Sequence, residues 1–200
     1  MVIAEERMMG PGFAEMVVGI LTRPRDMLRQ VGDGRSLGPA LIVLAMVAAI
    51  TGWSSAVAAP HNADLVGGPA PLALATIAGG GFLLLVQAGI GYGVARLLGS
   101  RGNFRGLLSG LALANVPSVF QAPFALLGVT LGPAGMALNA LGTAALSIWV
   151  IVLSVLALRE TFVTSTGRAV LIYFLSLILV LFLALAVLAL VVGLLLPAFF

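Results

Sequence analysis

Residues 96–105 read Arg96-Leu97-Leu98-Gly99-Ser100-Arg101-Gly102-Asn103-Phe104-Arg105, and the run that follows to Gln121 carries no further charge. Three arginines between two apolar runs mark a loop kept on the cytoplasmic side of a membrane, because short arginine-rich loops resist translocation. The run beyond them places Gly106, Gly110, Ala114 and Ser118 four residues apart. That spacing stacks small side chains on one helical face, where a second helix approaches closely. The helix is therefore the predicted packing hub.

Composition agrees with a membrane setting. Hydrophobic residues make up 61% of the chain, charged ones 8%, and mean hydropathy is +1.19. A soluble domain has about a quarter of its residues charged. The ten basic residues are all arginine, against seven acids, but no basic run is interleaved with aromatics, so nucleic acid is not the implied partner. No cysteine is present, which excludes disulfides, thiolate nucleophiles and thiolate metal ligands.

The predicted fold class is an all-α membrane protein: five transmembrane helices preceded by an amphipathic interfacial helix. Residues 1–36 form the cytoplasmic leader and 37–200 the bundle, with spans near 37–59, 72–98, 106–127, 134–158 and 169–196. In the leader Phe13, Met16, Val17, Ile20, Leu21, Met27, Leu28 and Val31 fall at helical spacing, with a bend expected at Arg23-Pro24. The reading open beside interfacial docking is a solvated leader whose arginines only hold the N-terminus inside. Ala56-Val57-Ala58 resembles a signal-peptidase site, but the segment before it is far longer than an ordinary charged leader.

The loop from Pro60 to Pro71 holds His61, Asn62 and Asp64 but no arginine, which puts it outside. In the second span Gly89 and Gly93 form a small-residue pair, and Gly79-Gly80-Gly81 reads as a packing or hinge element. Pro117 is expected to kink the third span and Pro123 to begin its exit. The fourth span repeats the spacing of four with Gly135, Asn139, Thr143 and Ser147, a stripe expected to face that of the third. The leucine-rich fifth span is expected to face lipid. Summed over the loops, the arginines lie on one side, so the N-terminus is predicted cytoplasmic and the C-terminus external or periplasmic in an inner membrane.

Catalysis lacks its groups. No Asp or Glu lies within a span, and the sole histidine, His61, is predicted across the bilayer from Ser109. One His and one Asp are too few for a metal site, and no cofactor is implied. Polar groups at membrane depth are Gln87, Asn115, Gln121 and Asn139. They read either as interhelical hydrogen bonds in a dry hub or as the lining of a permease path. Arg96, Arg101, Arg105, Arg159 and Arg168 form an inner surface suited to anionic lipid headgroups or to a partner.

Taken in order, Arg23-Pro24-Arg25, the loop Gly102-Asn103-Phe104-Arg105 running to Pro117, and Trp149 through Leu158-Arg159-Glu160 to Thr166-Gly167-Arg168-Ala169 resemble the bacterial branch of the Yip (Ypt-interacting protein) domain family. The chain departs from it where members often have an aromatic before the third-span proline, here Leu113-Ala114-Asn115, and a histidine after the Arg-Glu pair, here Phe162. The resemblance implies a multi-pass, non-enzymatic protein that acts by contact with another membrane protein or with itself. Eukaryotic relatives are associated with small GTPases of vesicle traffic and with membrane shaping, often as oligomers; the long cytosolic domain of many of them is not expected here, so GTPase binding is not implied. The expected function is thus interaction, assembly or membrane organisation, with a small-molecule permease or channel as the alternative.

Overall fold

The computed structural model describes residues 12–59 and 64–195. Residues 1–11 of the leader, His61, Asn62 and the end of the last span at Leu196 lie outside them. The described residues are helical without strands. Two short helices, α1 (Phe13–Thr22) and α2 (Pro24–Val31), precede α3 (Leu37–Ala58) and α4 (Pro69–Leu97). The third span is α5 (Phe104–Ala114), a 3-10 segment (Val116–Phe120) and α6 (Gln121–Thr130), followed by α7 (Gly132–Phe162) and α8 (Thr166–Leu195). Five of these units are long and apolar enough to cross a membrane.

Local chemistry sets the boundaries. Pro24 and Pro69 open α2 and α4, where a missing N–H has no intrahelical acceptor to serve. At the end of α4, Gly99 takes φ +75°, and the Ser100 N–H reaches back to the Ala95 carbonyl at 2.9 Å. That six-to-one bond is a Schellman closure, and it turns the chain sharply toward α5. Asn103 then caps α5, its side chain accepting from the Arg105 N–H at 3.0 Å.

Pro117 explains the broken third span. It cannot donate to the Leu113 carbonyl, so the chain tightens into a 3-10 segment before α6 resumes. Pro123 does not end the span as expected: it sits in the first turn of α6, where proline costs little.

This break moves the two halves of the span into different places. α6 stands in the wall of the bundle between α3 and α7, whereas α5 packs on α3, α4, α7, α1 and α2. Every residue from Gly106 to Ala114 is buried. At that end α1 leans on α3 and α2 on α7, so the N-terminal pair closes the wall around α5. Met16 and Ile20 of α1, and Met27, Leu28 and Val31 of α2, belong to the same core as Leu107, Leu113 and Leu153. The apolar surface of α1 is thus divided, with Met16 and Ile20 on protein and Phe13 and Val18 left exposed. The last span, α8, exposes most of its circumference, as a lipid-facing helix should.

Candidate functional site

Two features gather polar chemistry. The first is the end of the bundle where the arginines meet. Asn103 Nδ2 donates to the Asp33 carbonyl at 2.9 Å, which ties the α2–α3 loop to the start of α5. The Arg168 guanidinium donates to the Leu98 carbonyl, joining the start of α8 to the end of α4. Gly102 abuts Phe162 and the Thr161 carbonyl of α7. These contacts bring the segments around residues 33–35, 96–105 and 159–168 to one end of the molecule.

The arginines there are only lightly engaged. Arg35 pairs with Asp33 at 3.5 Å and Arg159 with Glu160 at 3.7 Å, while Arg96 lies 5.8 Å from the ring centre of Tyr92. Arg96, Arg101, Arg105 and Arg168 are exposed, and Arg159 is half-buried. Beneath them Tyr92 packs edge-on against Phe104 at 5.8 Å and tilted against Phe162 at 6.1 Å, forming an aromatic floor. Among the described residues, Asp33 and Glu160 pair with Arg35 and Arg159, and Arg96, Arg101, Arg105 and Arg168 form no ion pair.

The small-residue stripes meet different neighbours. Gly106 lies against the backbone of Gly32, where a Cβ would overlap the carbonyl group. At Gly110 a Cβ would meet Ala157 at 3.0 Å and Leu28 at 3.6 Å. Ala114 is fully buried, and Ser118 lies half-buried across the break. On α7, Gly135 packs under the Leu127 carbonyl and Asn139 beside Gly128. From there the strict spacing of four fails. Thr143 is half-buried, and Ser147 is exposed and donates to the Thr143 carbonyl at 2.8 Å. Each step of four advances about 40° around a helix of 3.6 residues per turn, so the stripe rotates off the interface. Gly142, Leu146, Leu153 and Ala157 continue the buried face in its place, with Gly142 against the Phe124 ring. The two stripes do not face each other along their lengths.

Gly89 and Gly93 are a clearer departure. Both are exposed, with nothing within 4 Å of where a Cβ would stand. Gly91 between them is the buried one, facing Ser176 at 3.5 Å. Gly79, Gly80 and Gly81 also have open space beside them, within an unbroken α4.

The second feature is a cavity of about 300 Å³ between α3, α4 and the third-span break. It collects Gln87, Asn115 and Gln121, joined by Thr51, Thr76 and Ser118. Asn139 is not among its lining residues and packs at the α6–α7 crossing instead. The amides are not bonded to one another. Asn115 Nδ2 donates to its own helix at the Leu111 carbonyl (2.9 Å), and among the described residues the side chains of Gln87 and Gln121 have no protein partner. The contribution of Thr51 and Thr76 was hidden in the sequence, since hydroxyls on apolar helices usually bond their own backbone.

The described residues contain no cluster of His, Cys, Asp or Glu able to hold a metal ion. The model of the Yip1 domain matches residues 18–189, nearly all of the architecture above. The chain belongs to the Yip1 domain family. Neither a curated relative nor a solved structure matches it. The matched region of this Yip1 domain begins within α1, at Val18, so the family pattern includes most of the N-terminal pair as well as the five spans.

Proposed function

We propose that this Yip1-domain protein is a non-enzymatic contact protein of a bacterial-type inner membrane. It organises lipids or a second membrane protein through the arginine-bearing end, which faces the cytoplasm. The observation that carries this reading is the convergence of the three arginine-bearing segments on one end of a bundle whose centre is closed by α5. Exposed guanidinium groups on one plane attract anionic headgroups by roughly 1 kcal/mol each when close to the surface. The buried run from Gly106 to Ala114 fills the middle of the bundle at that end, which argues against a continuous aqueous path for a permease. The exposed glycines of α4 offer a surface that another transmembrane helix can approach closely.

The test reconstitutes the full chain in vesicles of phosphatidylglycerol or phosphatidylcholine and identifies retained lipids by native mass spectrometry. Retention of the anionic lipid, reduced by salt and by Arg101→Gln with Arg105→Gln, supports the reading. Indifference to headgroup charge, or solute flux through the reconstituted protein, refutes it.

A further inference from the structure

The cavity lined by Thr51, Thr76, Gln87, Asn115, Ser118 and Gln121 is not accounted for by a contact function. Its hydrogen-bonding groups are only partly used. Thr51 Oγ1 donates to the Val47 carbonyl at 3.0 Å and Thr76 Oγ1 to the Leu72 carbonyl at 2.8 Å, which leaves their oxygens as acceptors. Asn115 keeps its Oδ1 and one N–H free after bonding Leu111. The side chains of Gln87, Gln121 and Ser118 make no hydrogen bond among the described residues, so the site holds unused donors and acceptors together. Interhelical packing gives no reason for this, because amides placed to join helices should bond across them.

The lining also carries no charged residue. The cavity opens between membrane-spanning helices, and a phosphate or carboxylate seated there would lie in an apolar setting without a counter-charge, so the occupant is uncharged where it enters. Position narrows it further. The polar lining runs along the bundle: Thr76 lies seven residues from the start of α4 and Thr51 seven from the end of α3, about 10 Å in from the end remote from the arginines, whereas Gln87 lies eighteen residues, about 27 Å, along α4. The lining thus extends from below the headgroup plane toward the middle of the span, a depth open to a lipid whose polar end is small and uncharged. Beside the cavity, across Leu83, an apolar groove of about 470 Å³ runs between α4 and α8, walled by Phe82, Val86 and Leu183. Leu83 lines both, so a molecule can place a polar end in one and a chain in the other.

We propose that this cavity binds the uncharged, hydroxyl-bearing end of a neutral bilayer lipid of the diacylglycerol type, with an acyl chain in the groove across Leu83. The hydroxyl donates to an amide or threonine oxygen and accepts from Gln87 or Gln121, and the ester carbonyls accept from the remaining N–H groups. Water alone is the competing occupant, since the volume holds about ten molecules.

The test uses the full chain in phosphatidylglycerol nanodiscs with and without dioleoylglycerol, released into mild detergent for native mass spectrometry. One dioleoylglycerol should remain bound, and Gln87→Leu with Gln121→Leu should weaken retention by about tenfold or more, given two lost hydrogen bonds. Without the lipid, the same double variant should be at least as thermostable as the parent, because the replaced amides lack partners. Four results would overturn the proposal: no retention by the parent, equal retention of phosphatidylglycerol, retention unchanged in the double variant, or displacement by millimolar glycerol. Should the double variant fail to fold, Ser118→Ala and Thr76→Val carry the same comparison, and unaltered retention in both counts against the site.

Discussion

Replacing Gly106 with alanine adds one methyl group where α5 meets the backbone of the α2–α3 loop. That methyl would overlap the Gly32 carbonyl and stand 3.1 Å from the Gly32 Cα. These neighbours are backbone, which cannot rotate aside, so α5 and the α2–α3 loop must separate. Overpacking of this kind costs about 1–3 kcal/mol. The helix-propensity gain of glycine to alanine, up to about 1 kcal/mol, offsets part of it, leaving a net loss on the order of 1–2 kcal/mol. Gly93→Ala is the matched control, since nothing lies within 4 Å of its would-be Cβ and only the propensity term acts. It should be neutral or stabilise by up to about 1 kcal/mol. The two variants should therefore separate by roughly 2 kcal/mol, with only Gly106→Ala destabilising, measured by equilibrium unfolding in mixed micelles. Equal effects would refute the claim that α5 is held by backbone-to-backbone contact with the N-terminal pair.

Three further outcomes follow from the same packing. Leu28→Ala, at a side chain 1% exposed, should cost about 2–5 kcal/mol although it lies before the first span, read as a lower unfolding midpoint of the whole bundle. Gly110→Ile should lower thermal stability in detergent well beyond any change at exposed Leu185, because its side chain must displace Ala157 and Leu28. Asn103→Ala removes both the cap on Arg105 and the bond to Asp33, and should cost about 1–3 kcal/mol, with faster amide exchange in the α2–α3 loop as the local signature.

What was legible in the sequence depended on how local its cause was. Span positions follow from hydropathy and loop arginines, which need no knowledge of neighbours, and the kink follows from Pro117 alone. The partner of a small residue is a different matter. Gly89 and Gly93 satisfy the spacing for close packing as well as Gly106 and Gly110 do, yet only the second pair meets a neighbour. Which face of α4 turns inward is decided by α3, α5 and α8 together, and Gly91 rather than its flanking glycines faces α5 and α8. The fourth-span stripe failed for a geometric reason: a spacing of four holds a straight helix on one neighbour for about two turns before the face rotates away. Gln87, Asn115 and Gln121 were recognisable as polar residues at membrane depth, but their grouping without Asn139 depends on where the third span breaks.

That break links the two features of the molecule. With Pro117 replaced by a residue able to donate, the third span could run as one straight helix, and α5 could not occupy the centre while α6 stands in the wall. The change of direction leaves space beside Asn115, Ser118 and Gln121, which is where the polar cavity lies. The same change lets α1 and α2 close the arginine-bearing end around α5. A single missing N–H thus accounts for a filled core at one end and an amide-lined cavity toward the other, and neither feature would survive straightening the helix.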